Sequence, residues 1–419
     1  MKILFIHQSF PGQFKHLAPE LVRHGHDVTA LVVGHTSDER HWNGVRVVKY
    51  QLSRGSTSGV HPWVSDIEAK VIRGEACFKT TLALKAQGYT PDVVIAHPGW
   101  GESLFIKDVW PEVKLGIYCE FFYQIEGCDA GFDAEFERDD PGNACRLRLK
   151  NLNNFLHIPI ADKAISPTQW QANTFPESIR SKTSVIHDGI DTDLLCPGPD
   201  VTTQIQKPDG SKLQLSRQDE VITFVNRNLE PHRGYHVFMR ALPDLLKTRP
   251  KLRVLIVGGD GVSYGAKPDP NRYGNRSWKD IFIDEVKPLV SDTDWARVHF
   301  LGSIPYPKFV GLLQLSRVHV YLTYPFVLSW SLLEAMSAGC AIVASDTAPV
   351  REVIEHDVTG SLVDFFDPDA LGLEINRLLD DPRLAQRYGA AARAYAIEQY
   401  DLRTVCLPAQ LAWVESLGA

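Results

Sequence analysis

Residues 331–345 read Ser331-Leu-Leu-Glu-Ala-Met-Ser-Ala-Gly-Cys-Ala-Ile-Val-Ala-Ser345, a short amphipathic helix with one carboxylate near its start, then a turn and an apolar strand. That order suggests a nucleotide site. Amide groups at the start of such a helix can face a diphosphate, and Glu334, read as lying in the first turn, can accept two hydrogen bonds from the vicinal hydroxyls of a ribose. A lone Glu is more often a solvated acid favoured by the helix dipole, so the surrounding residues must decide.

Upstream, the strand Val221–Val225 runs into Asn226-Arg-Asn-Leu-Glu-Pro-His-Arg-Gly234. The guanidinium groups of Arg227 and Arg233, beside a glycine that lets backbone approach, can clamp a diphosphate and stabilise it as a leaving group. Further strands are expected at 252–257, 298–301 and 318–323, with helices from about His236 and from Trp278 to Val290 and a long Gly/Pro/Asn-rich loop at 261–276. Strands alternating with helices argue a parallel sheet covered on both faces.

The N-terminal end has the same grammar. Lys2–His7 reads as a buried strand, Pro11-Gly12-Gln13 as a turn, and Phe14, Leu17, Leu21 and Val22 recur at helical spacing before Gly25 and the strand Asp27–Val33. This is the opening βαβ unit of a doubly wound sheet, with Pro19 expected to bend its helix. The backbone amide of Gly12 can reach a phosphate or an acceptor. Strands are also expected at 45–50, 93–97, 115–119 and 162–166. Two of them deliver chemistry-bearing residues: His97 opens His97-Pro-Gly-Trp-Gly-Glu102, and Glu120 follows Cys119. Each is read either as a structural residue or as a contact to sugar or acceptor, and Glu120 also as a base toward an acceptor hydroxyl. The acid-rich stretch 126–140 reads as a solvated loop, and residues 369–419 as helices.

A chain of 419 residues, 44% hydrophobic and 23% charged, suits two globular domains. The formal charge of −7 and the absence of a basic block exclude the footprint of a nucleic-acid binder. Seven scattered cysteines form no Cys-x-x-Cys pair and read as reduced thiols. Met1–His7 is too short an apolar run for a signal peptide, and no run spans a bilayer, so a cytoplasmic location is expected. Three Asp-x-Asp strings, beginning at Asp191, Asp292 and Asp367, fall where Asp caps turns and helices, so none is read as a metal site and no cofactor is expected.

The stretch from Glu334 through Asp346, Ala348-Pro349, Arg351-Glu352-Val353-Ile354 and Asp357-Val-Thr-Gly360-Ser-Leu-Val363 resembles the donor-site region of retaining GT-B glycosyltransferases of family four. The resemblance implies two Rossmann-like doubly wound parallel-sheet domains facing across a cleft. The acceptor domain would be 1–195, the donor domain 196–385, and helices in 386–419 would cross back to the first domain. It further implies metal-independent, retaining transfer from a nucleoside-diphosphate sugar to a hydroxyl-bearing acceptor, lipid-linked acceptors included, in surface polysaccharide or glycoconjugate synthesis. Glu334 would hold ribose, amides around Ser329, Trp330, Ser331 and Leu332 would complete the phosphate cradle, and Arg233 would stand at the family's Lys position with one extra spacer residue. Two departures stand out. The family's sugar-side carboxylate, eight positions before Glu334, is here Phe326, and Glu120 occupies the place of a family His. A sugar-nucleotide epimerase or phosphorylase, or a non-catalytic sugar-nucleotide-binding protein, remains an open alternative. Basic and apolar residues at 146–160 permit transient contact with the inner face of a membrane at most.

Overall fold

The computed structural model describes residues 1–34, 41–136, 140–206 and 210–418. Contact density divides the chain into a first unit, Met1–Gly189 with Leu402–Ala419, and a second, Ile190–Asp401.

The first unit is built on β1 (Lys2–Ile6), β2 (Asp27–Val33), β3 (His41–Trp42), β4 (Val45–Tyr50), β5 (Val93–Ala96), β6 (Lys114–Tyr118), β7 (Lys163–Ser166) and β8 (Thr183–Val185), in the order β3-β4-β2-β1-β5-β6-β7-β8. All pairings are parallel except the short β3 against β4. Ile3, Leu4, Phe5 and Ile6 have no exposed surface, as a central parallel strand covered on both faces requires. The strand order reverses between β1 and β5. Residues leaving the carboxyl ends of those two strands therefore enter the crevice where doubly wound sheets take their ligands.

The first crossover corrects one expectation. Phe14 ends a separate 3-10 turn, Gly12–Phe14, and the α-helix is only Leu17–Arg23. Pro19 thus sits in the first turn, where its missing N–H had no intrahelical acceptor to lose, rather than in the helix interior where it would bend the chain. The sheet is closed on one side by the C-terminal helix Leu407–Gly418. Its Trp413 lies over Gly116, where an added Cβ would come within 2.6 Å of the indole, and donates its indole N–H to the Ala164 carbonyl at 3.1 Å.

The second unit opens with an antiparallel hairpin that the sequence reading missed, β9 (Thr202–Gln206) and β10 (Lys212–Ser216). Its sheet comprises β11 (Val221–Asn228), β12 (Arg253–Gly259), β13 (Val298–Phe300), β14 (Val318–Tyr321), β15 (Ala341–Ser345) and β16 (Ser361–Val363), all parallel, in the order β13-β12-β11-β14-β15-β16. This is a doubly wound sheet whose order reverses between β11 and β14. The segment 261–276, expected as one loop, contains a short helix, Pro270–Tyr273. Each unit is thus a parallel-sheet α/β body with one switch point, and the candidate residues cluster at those two points.

Candidate functional site

In the second unit, β11 delivers a 3-10 turn, Pro231–Arg233, at the switch point. Gly234 ends it at φ +68°, and an added Cβ would lie 2.3 Å from Leu322, so this glycine admits the strand-end loop of β14. Arg233 is consequently buried, at 4% exposure. Its Nη1 donates to Thr323 Oγ1 at 2.7 Å, to the Val327 carbonyl at 3.2 Å and toward Tyr321 Oη at 3.4 Å. The guanidinium lies 4.8 Å from the Tyr264 ring centre and 6.0 Å from that of Phe326. No carboxylate pairs with it among the described residues. A buried cation held only by neutral groups is costly unless an anion joins it.

The β14 loop leads to the helix Trp330–Ser337, capped by Ser329, whose side chain accepts from the Ser331 amide. Tyr321 Oη accepts from the Ser329 amide at 3.0 Å, which ties the helix start to the hydroxyl that Arg233 also approaches. Trp330, Ser331 and Leu332 form the first turn. Glu334 is the fifth helical residue, so it lies in the second turn rather than the first, because the cap falls earlier than the sequence pattern suggests. It is 7% exposed, and Tyr306 Oη donates to its Oε1 at 2.8 Å. Phe326 packs edge-on to His232, with ring centres 4.8 Å apart, and against Tyr264 at 5.2 Å. The position of the expected sugar-side carboxylate is therefore one wall of an aromatic cluster. Arg227 stands apart, exposed on β11 and joined to Arg233 by no hydrogen bond among the described residues.

Glu230 was missed. Its buried carboxylate accepts from the amides of Ser263, Tyr264 and Gly265 at 3.0, 3.4 and 3.2 Å, which holds Tyr264 where it can stack on Arg233. In sequence it is one more polar residue in a turn.

In the first unit, His7 follows β1, His97 follows β5 and Glu120 follows β6. Glu120 Oε2 lies 3.3 Å from His97 Nε2, and Glu120 Oε1 accepts from Gln13 Nε2 at 3.0 Å. Gln13 Oε1 in turn meets His7 Nε2 at 2.8 Å. His97 is stacked between Trp100, at 4.4 Å, and Tyr118, at 5.4 Å. Burial, then the neighbouring His97, lowers the pKa of His7 to about 4. Burial raises the Glu120 carboxyl, but the contacts from His97, His7 and Gln13 outweigh it and leave the group below the usual range. Gly12, at φ +48°, faces this cluster: an added Cβ would lie 2.4 Å from the His7 ring. Glu102, in the same loop as His97, is buried, accepts from Tyr50 Oη at 3.1 Å and has its pKa raised by burial.

One helix, Leu152–His157, with Asn151 at its start, braces both loops. Asn153 donates to the Pro98 carbonyl at 2.8 Å and Asn154 to the Phe121 carbonyl at 3.4 Å, while Asn151 and the Tyr123 backbone exchange two hydrogen bonds. The three asparagines had no sequence signal beyond their proximity to one another. In the acid-rich stretch, Cys128 and Asp133 are buried, which departs from a wholly solvated loop; Glu137 and Asp139 lie outside the described residues. No helix among the described residues is long and apolar enough to cross a membrane.

A family model described as "Glycosyl transferase family 4 group" matches residues 24–195, and one described as "Glycosyl transferases group 1" matches residues 206–395. The chain is similar to the D-inositol 3-phosphate glycosyltransferase of Streptomyces griseus, 24% identical over 62% of this chain and 54% of that one. It is also similar to the GDP-mannose-dependent alpha-(1-6)-phosphatidylinositol monomannoside mannosyltransferase of Mycolicibacterium smegmatis, 24% identical over 58% of this chain and 60% of that one. The matched stretches span about half the length of these curated relatives. Among solved structures, sucrose-phosphate synthase from Thermosynechococcus elongatus superposes with a TM-score of 0.71 at 16% identity, covering 99% of both chains. Anabaena Alr3699/HepE in complex with UDP-glucose gives 0.68 at 17% identity, again over 99% of both. At these identities the likeness is one of fold, the GT-B architecture.

Proposed function

The chain belongs to the glycosyl transferases group 1 family, and we propose from that premise that it transfers a sugar from a nucleoside-diphosphate sugar to an acceptor hydroxyl, with retention of configuration and without a metal ion. The observation that carries this reading is Arg233, a buried guanidinium with only neutral partners, tied through Tyr321 to the capped start of the helix that carries Glu334 in its second turn. A diphosphate is the anion that fits a planar, donor-rich cation next to helix-start amides. Glu334 then takes the ribose hydroxyls, and Arg227, exposed on β11, supplies a second cation.

Reaction on this reading breaks the bond between the anomeric carbon and the diphosphate oxygen and forms a bond from that carbon to the acceptor oxygen. The acceptor proton passes to the departing phosphate on the same face. Arg233 and the amides stabilise the negative charge as it grows on the leaving group. The first unit supplies the acceptor side, with Glu120 directed at sugar hydroxyls and His97 packed behind it. Exposed Phe155 and Leu156, which follow the basic helix Asn143–Lys150, support peripheral contact with a lipid-linked acceptor in polysaccharide or glycoconjugate synthesis.

Calorimetry with UDP, GDP, UDP-glucose and GDP-mannose in EDTA, followed by release of free nucleotide, tests the reading. Binding of one nucleotide that weakens at least tenfold in Arg233→Ala and in Glu334→Ala supports it. Affinity unchanged in both variants overturns the donor site. Binding without turnover on any acceptor favours a sugar-nucleotide-binding protein, and turnover that requires inorganic phosphate favours a phosphorylase.

A further inference from the structure

His7 and His97 end adjacent parallel strands and repeat one local device. The Ser9 amide donates to His7 Nδ1 at 3.0 Å, and the Gly99 amide donates to His97 Nδ1 at 3.1 Å. A backbone amide can only donate, so each Nδ1 must be an acceptor, and each neutral ring carries its proton on Nε2. The direction of the remaining contacts follows. His7 Nε2–H donates to Gln13 Oε1, which fixes the orientation of that amide, and Gln13 Nε2 donates to Glu120 Oε1. His97 Nε2 faces Glu120 Oε2 at 3.3 Å, a close contact that is not aligned as a hydrogen bond. One line of donors therefore runs from the Ser9 amide through His7 and Gln13 to Glu120 Oε1, and His97, held by the Gly99 amide, stands against Oε2.

Tight packing holds both rings in place. An added Cβ at Gly99 would lie 2.8 Å from the His97 ring and one at Gly12 would lie 2.4 Å from the His7 ring, so both glycines seat the histidines. Trp100 meets His7 edge-on at 4.9 Å while stacking on His97. Gln171 Nε2 donates to the Glu120 carbonyl at 2.7 Å and fixes the backbone beneath the carboxylate. The titratable groups around Glu120 include His7, His97, Tyr118 and Tyr123, with Asp188 behind Tyr118 and Glu102 behind His97; no Lys or Arg forms an ion pair with it among the described residues. An acid kept for structure alone would pair with a cation or be fully enclosed. Here the Glu120 side chain keeps 32% of its surface exposed while that of His97 keeps 4%.

We propose that His7, Gln13 and His97 are positioning residues that present Glu120 as an acceptor-only carboxylate, so that this point of the first unit binds a hydroxyl of a neutral sugar and refuses a sugar carboxylate. Each carboxylate oxygen has two lone pairs; Gln13 uses one on Oε1, and His97 covers the inner side of Oε2. The outer pairs can receive only O–H or N–H groups. A uronic acid placed there meets like charge, and neither partner has a proton to give. The proposal rests on the glycosyltransferase reading, and the hydroxyl can come from the donor sugar or from a saccharide acceptor.

The first test is nitrogen-15 NMR of histidine in the intact protein at pH 7, which needs no substrate. Nε2–H tautomers at both His7 and His97 are expected; an Nδ1–H tautomer at either overturns the proposal. The second compares UDP, UDP-glucose and UDP-glucuronic acid, with GDP and GDP-mannose in parallel, in wild type, Glu120→Gln and Gln13→Leu. Glu120→Gln should leave nucleotide affinity unchanged. It should cost roughly tenfold or more either in the gain that the neutral sugar adds to the nucleotide, which names the donor as the source, or in the acceptor KM, which names the acceptor. It should also relax exclusion of the uronic acid. Gln13→Leu should raise the pH of the acid limb of kcat/KM, and Gln13→Glu should not restore it. Equal sugar gain, acceptor KM and uronic-acid rejection in wild type and Glu120→Gln would sink the proposal while leaving the Arg233 and Glu334 donor reading intact. Loss of nucleotide binding in Arg233→Ala tests that reading separately.

Discussion

Tyr306 donates its phenolic hydrogen to Glu334, Oη to Oε1 at 2.8 Å, so the carboxylate assigned to ribose is aimed by a residue 28 positions upstream. Tyr306→Phe removes the donor and keeps the ring. Loss of one hydrogen bond that only aims the carboxylate is expected to cost about 0.5–1.5 kcal/mol net. Nucleotide affinity should fall about three- to tenfold, less than in Glu334→Ala, and the double variant should be no weaker than Glu334→Ala. Calorimetry on the three variants checks this; additive losses would mean that Tyr306 binds independently of Glu334.

Arg233 makes an opposite-signed prediction for stability and binding. Its guanidinium is buried among Tyr321, Thr323, Tyr264 and Phe326 with no carboxylate partner among the described residues. Arg233→Met removes a desolvated charge while filling similar volume, so the free protein should be unchanged or stabilised by about 1 kcal/mol. Nucleotide affinity should fall tenfold or more. Thermal melts with and without UDP or GDP separate the two effects: the variant should melt at or above wild type alone and lose the nucleotide-induced rise.

The two sheets were legible because their strands are apolar runs separated by helical repeats, and Val45–Tyr50 has the expected ends. The hairpin β9–β10 was not, because among its described residues only Ile205 and Leu215 are buried, in an otherwise polar stretch. His97 and Glu120 could be picked out as polar residues at strand ends. Gln13 could not, since its partner Glu120 is 107 residues away and only the sheet order brings the two together. Glu334 was placed in the wrong turn for a local reason. Ser329 and Ser331 are both good caps, and the choice between them depends on Tyr321 holding the Ser329 amide.

Acid should destabilise the fold well above the carboxylate range. His157 and His319 are buried with pKa values lowered to about 4, and His187 to about 3, in each case chiefly by burial. The unfolded chain takes up these protons near 6.5 and the folded chain does not. Stability is therefore fully present above pH 6.5 and is lost as pH falls from 6.5 toward 4. His319→Asn should lower the slope of melting temperature against pH across that window, whatever it does to the melting temperature at pH 7.5. An unchanged slope would show that His319 is not neutral in the folded state.

Phe326 offers the sharpest test of how this chain differs from the family pattern. Its ring touches His232 and Tyr264 and lies under the Arg233 guanidinium, at 6.0 Å from ring centre to guanidinium carbon. Phe326→Glu restores a carboxylate in sequence but places it beside a cation that has been left free of acids. The new carboxylate would pair with Arg233 and compete with a diphosphate for it. Affinity for UDP or GDP should fall about tenfold, and the melting temperature should drop because an aromatic contact is lost from a buried cluster. The gain in binding from UDP to UDP-glucose should not increase. Were the substitution instead to tighten UDP-glucose binding without weakening UDP, the aromatic wall would be a defect in sugar handling rather than the means of keeping Arg233 available to phosphate.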